Sequence, residues 1–156
     1  MSELYEFVFE DVPEGNLHFL LGSIFEGGKG IKLVRSSFDE LEKYEGHEIK
    51  VDSLTNLILG FCGNAFLIVS MGSFDMGKAS VREVILRVIE YSGRYDLDFN
   101  FDGEAIDEGT RVSLIKYIHE YMIMLSEKYE VGRWYGGLEP ASDEDTRFFF
   151  NYDCYL

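Results

Sequence analysis

The sequence predicts an α+β protein: a mainly antiparallel sheet with two substantial helices packed on one face. Three observations carry that expectation. Short alternating apolar and polar runs are joined by tight turns, and strands joined so closely pair antiparallel, since parallel neighbours need long crossovers. Two longer runs, 80–92 and 111–129, repeat their apolar residues at helical spacing. Nothing alternates regularly as strand, helix, strand, so a doubly wound sheet is disfavoured.

The elements follow in order. Leu4, Tyr5, Phe7 and Phe9 among Glu3, Glu6 and Glu10 describe a strand with one wet face. Pro13-Glu14-Gly15-Asn16 is turn chemistry, and Leu17 to Phe25 is expected as a second strand. Gly27-Gly28-Lys29-Gly30 reads as a hairpin turn before the short strand Ile31 to Val34. Ser37-Phe38-Asp39-Glu40 has the form of a capping box opening a short helix. Residues 47–58 read as extended, and Ala65 to Met71 as a buried strand. Ser80-Val81-Arg82-Glu83 is a second box, and Val81, Val84, Ile85 and Val88 behind it predict a helix over 80–92. From Tyr95 to Phe101 the alternation is strict, with Asp96, Asp98 and Asn100 on one face and Leu97, Phe99 and Phe101 on the other. Leu114, Ile115, Ile118, Met122 and Leu125 mark the longest helix, over 111–129, and Arg147 to Tyr152 closes the sheet as a last strand.

A chain of 156 residues fits one domain, 1–156, with no composition shift or Pro/Gly-rich linker to divide it. At this length about 68–70% of the unfolded surface can be buried, so the fold needs no disulfide or metal staple. Lys and Arg number 14 against 29 Asp and Glu, a net charge of −15. Phosphate contacts need a basic face, so direct nucleic-acid binding is disfavoured, as is an anionic membrane surface. Cys62 and Cys154 are expected as reduced thiols. The acidic start Met1 to Glu6 lacks a signal peptide's basic and apolar regions, and Leu57 to Met71 is too short to span a bilayer. A cytoplasmic protein is expected.

The chemistry-bearing motifs are weak. Asp98, Asn100, Asp102 and Gly103 match the opening of a calcium loop, but the twelfth position is Gly109 where a bidentate Glu belongs. A strand ending in an Asp-Gly turn is the simpler reading. Gly27 to Gly30 precedes a strand rather than the helix N-terminus that a phosphate loop requires. His119-Glu120 begins a zinc-protease pattern that Ile123 breaks. Cys62 has no nucleophile signature, and no Ser stands in a Gly-x-Ser-x-Gly setting. No catalytic residue, metal site or cofactor is therefore expected. An enzyme would need a pocket gathering His18, His47 or His119 with a perturbed carboxylate.

Arg133-Trp134-Tyr135-Gly136-Gly137-Leu138-Glu139-Pro140 stands apart: the only Trp beside Tyr and Arg, then a flexible Gly pair, then the acids Asp143, Glu144 and Asp145. Trp, Tyr and Arg are the residues most enriched in binding hot spots. Two readings stand, a loop that folds its Trp into the core or one that offers Trp134 as an anchor. A strongly negative field steers a cationic partner toward the chain. Three classes carry such a field: an inhibitor that plugs the basic active site of a nuclease, an adaptor that binds a basic protein without inhibiting it, and an acidic enzyme or halotolerant protein whose charge serves solubility alone.

In size, acidity, aromatic richness and the Trp134–Pro140 segment with its acidic run, the chain resembles small immunity proteins of bacterial polymorphic and contact-dependent toxin systems. The resemblance implies a cytoplasmic protein that silences one cognate toxin by binding it, with no catalytic residues. The expected contact residues form two groups: Asp96, Asp98, Asp102, Glu104, Asp107 and Glu108 near a strand–helix junction, and Asp143, Glu144 and Asp145 with Trp134 and Tyr135. The expected partner is a basic protein, neither nucleic acid nor membrane, and the oligomeric state is left open.

Overall fold

In the computed structural model, residues 3–50, 65–103 and 108–152 are described. The element order is β1 (Leu4–Pro13), α1 (Glu14–Glu26), β2 (Gly28–Ser36), a 3-10 helix (Asp39–Tyr44), β3 (Ala65–Asp75), β4 (Ser80–Tyr91), β5 (Arg94–Asp102), α2 (Glu108–Tyr129), β6 (Arg133–Leu138) and β7 (Arg147–Tyr152). The strands form one seven-stranded sheet in the order β2-β3-β4-β5-β1-β6-β7, antiparallel at every pairing. Both helices bury their apolar stripes with one face of the sheet, so the α+β class holds.

Strand alternation decides which face is the core. Tyr5, Phe7 and Phe9 of β1, Val84, Leu86 and Val88 of β4, and Leu97, Phe99 and Phe101 of β5 are buried on the helix side. Each fully buried Leu, Ile or Phe contributes about 1.5–3 kcal/mol. Helix α2 meets this face with Leu114, Ile118, Tyr121, Met122 and Leu125, close to the stripe expected from the sequence.

Two elements differ from expectation. Residues 17–25 belong to α1, not to a strand: Leu17, Leu20, Leu21, Ile24 and Phe25 are buried at i, i+3, i+4, i+7 and i+8, one helical face. Pro13 sits at the cap position, Glu14 favours the positive end of the helix dipole, and the Gly27 N–H closes the last turn on Ile24 O at 3.1 Å. Gly27 therefore ends a helix rather than making a hairpin turn, and Gly28 to Gly30 already lie in β2. Conversely, residues 80–91 form strand β4, not a helix. They pair with β3 between Ser80 and Glu90 and, from Ile85 to Tyr91, with β5 beyond the Ser92-Gly93 turn, where both residues have positive φ (51° and 78°). The β-branched Val81, Val84, Ile85, Val88 and Ile89 suit that pleat. The two substantial helices are thus α1 and α2.

The Ser37 capping box does not form: the Ser37 hydroxyl accepts the Phe66 N–H at 3.0 Å, and the 3-10 helix begins without a side-chain cap. Of the 47–58 segment, Glu48 bridges to Lys32 beside β2, and 51–58 lie outside the described residues, as do Cys62 and Cys154. Asn16 Nδ2 donates to Tyr129 O at 2.8 Å, and Ser23 shares a hydrogen bond with the Tyr129 hydroxyl, so α1 is tied to the end of α2.

Candidate partner-binding surface

The second face of the sheet carries no helix among the described residues, and the register lays its side chains out in rows. One row runs Arg35, Ile68, Arg87, Asp98, Val8, Tyr135, Phe150 across all seven strands. Its neighbour runs Lys32, Ser70, Ile85, Asn100, Glu6, Gly137, Arg147. Odd–even alternation in β4 and β5 therefore puts Arg87, Ile89 and Tyr91 on the same side as Asp96, Asp98 and Asp102.

Three arginines of this face are matched by carboxylates of the same face. Arg87 Nε donates to Asp98 Oδ1 at 2.8 Å, and its other nitrogen lies 3.9 Å from Glu6. Arg94 grips Asp11 through Nε and a terminal nitrogen at 3.0 and 3.1 Å. Arg133 pairs with Glu10 at 3.4 Å. Asp11 can do this because it occupies a bulge in β1, at φ 60°, with its N–H donating to Asp96 Oδ1 at 2.8 Å. The Arg94 guanidinium holds the Asp11 carboxyl below its usual range. Tyr91, whose hydroxyl donates to Asp96 at 3.1 Å, is pushed up to about 12 by burial first and by Asp96 and Asp11 after it. Glu6, half-buried at the middle of the face, is raised chiefly by desolvation, although the Ala141 N–H donates to it at 3.0 Å.

The β6–β7 loop folds over this same face. Ala141 is fully buried against Val8 and Tyr135, which fixes the loop, and Asp143, Glu144 and Asp145 are left exposed. The structure thus brings Asp96, Asp98, Asp102, Tyr135 and the Asp143–Asp145 run to one side of the molecule. Within that set Asp98 is buried, accepting from both Arg87 and Asn100. Glu104 and Asp107 lie outside the described residues, and Glu108 opens α2.

Trp134 takes the core reading. It is 3% exposed on the helix side of β6, 5.4 Å from the His119 ring and 6.0 Å from Phe149. The Gly136-Gly137 pair is a buried part of β6, not a flexible loop, because the Phe7 and Phe149 rings occupy the space above Gly136.

Sequence reasoning overlooked Arg87, Ile89 and Tyr91, which a strand alternation over 84–91 would have placed beside Asp96 and Asp98, and Arg94, which opens β5. His18, His47 and His119 sit on α1, in the turn after the 3-10 helix and on α2, and only His119 packs on the core. Among the described residues no His, Cys, Asp and Glu group is arranged to hold a metal, and no helix is long and apolar enough to cross a membrane. The Asp98–Gly103 segment continues β5 and does not follow a helix. The apolar gap beneath α2, bounded by Phe74, Phe99, Ile118 and Met122, measures about 10 Å³, room for about one water.

The sheet thus packs both helices on one side and presents ion-paired strands and an acidic loop on the other. The chain belongs to the PABL017 Cdi1I immunity protein family, whose model matches residues 3–153. It is also similar to a chain in the crystal structure of the toxic C-terminal tip of CdiA from Pseudomonas aeruginosa in complex with immune protein. That similarity is 32% identity over 100% of both chains, with a TM-score of 0.80. No curated protein sequence matches it.

Proposed function

We infer that this chain is the immunity partner of a CdiA-type toxin, binding the toxic C-terminal tip inside the cell and neutralising it by covering its functional surface. One observation carries the reading: full-length similarity, at 32% identity, to a chain of a toxin tip–immune protein complex, within a family of immunity proteins. The charge of −15 supports a basic partner, since such a field raises the encounter rate and rejects anionic competitors such as nucleic acid or an acidic membrane. The exposure of Asp143, Glu144 and Asp145, with Asp96 and Asp102 across the open sheet face, supports these carboxylates as its contacts, and Tyr135 packs against the loop that carries three of them.

The test is co-purification with the cognate CdiA-type toxic C-terminal tip, at low and at high salt. A complex that forms at low salt and assembles more slowly at high salt is the expected result. Failure to capture that tip at either salt contradicts the reading, and capture unaffected by salt contradicts its electrostatic part.

A further inference from the structure

The open face is not uniform. At the end beside the β6–β7 loop, Asp102 pairs with Leu4 in the sheet, the Glu139 N–H bonds Leu4 O, and Asp143–Asp145 stand exposed just beyond, so this end forms an acidic rim. Toward the β4–β5 turn the face changes character. Ile89 is 41% exposed and Tyr91 38%, and Arg87, Arg94 and Arg133 are each matched by a carboxylate of the same face. On the β7 edge Phe150 is 58% exposed beneath the Arg147 guanidinium. Between Ile89 and Tyr91 on β4 and Phe150 on β7 run β5, β1 and β6, so these exposed apolar residues flank a floor of ion-paired guanidiniums, whereas the acidic end has the composition of a rim.

We propose that this face docks the toxin tip in one orientation, with apolar side chains of the toxin on Ile89 and Tyr91 at one side of the ion-paired floor and on Phe150 at the other, and its flanking Lys and Arg side chains against the Asp143–Asp145 rim. The proposal rests on the reading above that the chain binds such a tip. Its basis is charge complementarity: a basic surface would find its counter-charges chiefly at the rim, because on the floor Asp98, Asp11 and Glu10 already hold guanidiniums and Asp96 accepts the Asp11 N–H and the Tyr91 hydroxyl. The two parts therefore act on different rates. The rim, exposed and unscreened at low salt, governs association, and the desolvated floor governs dissociation.

The experiment measures association and dissociation rates of the purified tip on the immobilised full chain. Its variants are Ile89→Asp and Phe150→Asp at the two sides of the floor, the combined Asp143→Asn, Glu144→Gln, Asp145→Asn on the rim, and Val112→Asp as a control, 80% exposed on α2. Thermal melts of each variant confirm folding. The floor variants are expected to speed dissociation by about 30-fold or more, the scale of a hot-spot loss. The rim variant is expected to slow association by about fivefold or more at low salt and to flatten its salt dependence. The control should bind as wild type does. If the wild-type chain binds but both folded floor variants dissociate within about twofold of it, or the control weakens binding as they do, the docking face is elsewhere. If the wild-type chain does not bind the tip, it is the toxin-binding reading that fails.

Discussion

Arg87 and Asp98 stand directly opposite each other on β4 and β5, with the guanidinium Nε 2.8 Å from the Asp98 carboxylate. Asp98 is 7% exposed, and Arg87 and Asn100 both donate to its carboxylate. Removing one member of a buried pair leaves an uncompensated charge, a loss that the half-exposed guanidinium moderates. Arg87→Met is expected to lower stability by about 1–2 kcal/mol in urea unfolding. Adding Asp98→Asn should cost less than the sum of the single changes, because the second removes the charge the first stranded. Strict additivity would mean the pair is not coupled.

Glu6 sets a pH dependence of opposite sign to that of an ordinary paired carboxylate. Burial raises its pKa above 4.5, and Asp98 and Glu139 push the same way. The folded protein then holds the proton more tightly than the unfolded chain, so this group's contribution falls as pH rises from 4.5 through the folded value. Glu6→Gln keeps an acceptor for the Ala141 N–H and removes the charge. Its Tm is expected to exceed the wild-type value by about 2 °C at neutral pH, with the gap closing in acid. A lower Tm at neutral pH would contradict this account.

His119 acts in another window. Its ring stacks on Phe149 at 4.3 Å and 9°, and burial pulls its pKa below 6.5 against the opposing charge of Glu120. Stability from the neutral ring is present above 6.5 and is lost as pH falls toward the folded value. Trp134, the only Trp, lies 5.4 Å away and reports the region by fluorescence. Thermal melts followed at Trp134 should show wild type losing stability across this window and His119→Phe losing measurably less.

Glycines at two places should respond in opposite directions. A Cβ on Gly136 would press into Phe7 and come within 2.6 Å of Phe149 Cζ, so Gly136→Ala is expected to cost about 1–3 kcal/mol by overpacking. A Cβ on Gly15, in exposed α1, would meet nothing within 4 Å, and Gly15→Ala should stabilise by about 0.5–1 kcal/mol. Urea unfolding of the two variants reads both signs.

How far the fold was legible depends on how one-sided each segment's burial is. Strands β1 and β5 were readable because Tyr5, Phe7 and Phe9, and Leu97, Phe99 and Phe101, alternate with acids. Helix α2 was readable because its stripe faces one layer. Two segments misled for different reasons. In α1 the run Leu17, Leu20, Leu21, Ile24, Phe25 has helical spacing, but Gly15 and Gly22 and the exposed Phe19 blur its polar face. In β4, Val81, Val84, Ile85 and Val88 fit a helix as well as a pleat, and the Ser92-Gly93 turn was the signal that separates them. That misreading hid half of the open face. With 80–92 taken as a helix, Arg87, Ile89 and Tyr91 could not be placed beside Asp96 and Asp98. Trp134 was ambiguous because hot-spot composition and core composition coincide for an aromatic beside an arginine.

The most direct measurement is growth of cells producing the cognate CdiA-type toxic C-terminal tip, with and without this chain. Full restoration of growth by the wild-type chain, lost in the folded Ile89→Asp, Phe150→Asp double variant and retained in Val112→Asp, is the expected result. Cells that stay inhibited while the chain is present, soluble and folded would contradict the assignment.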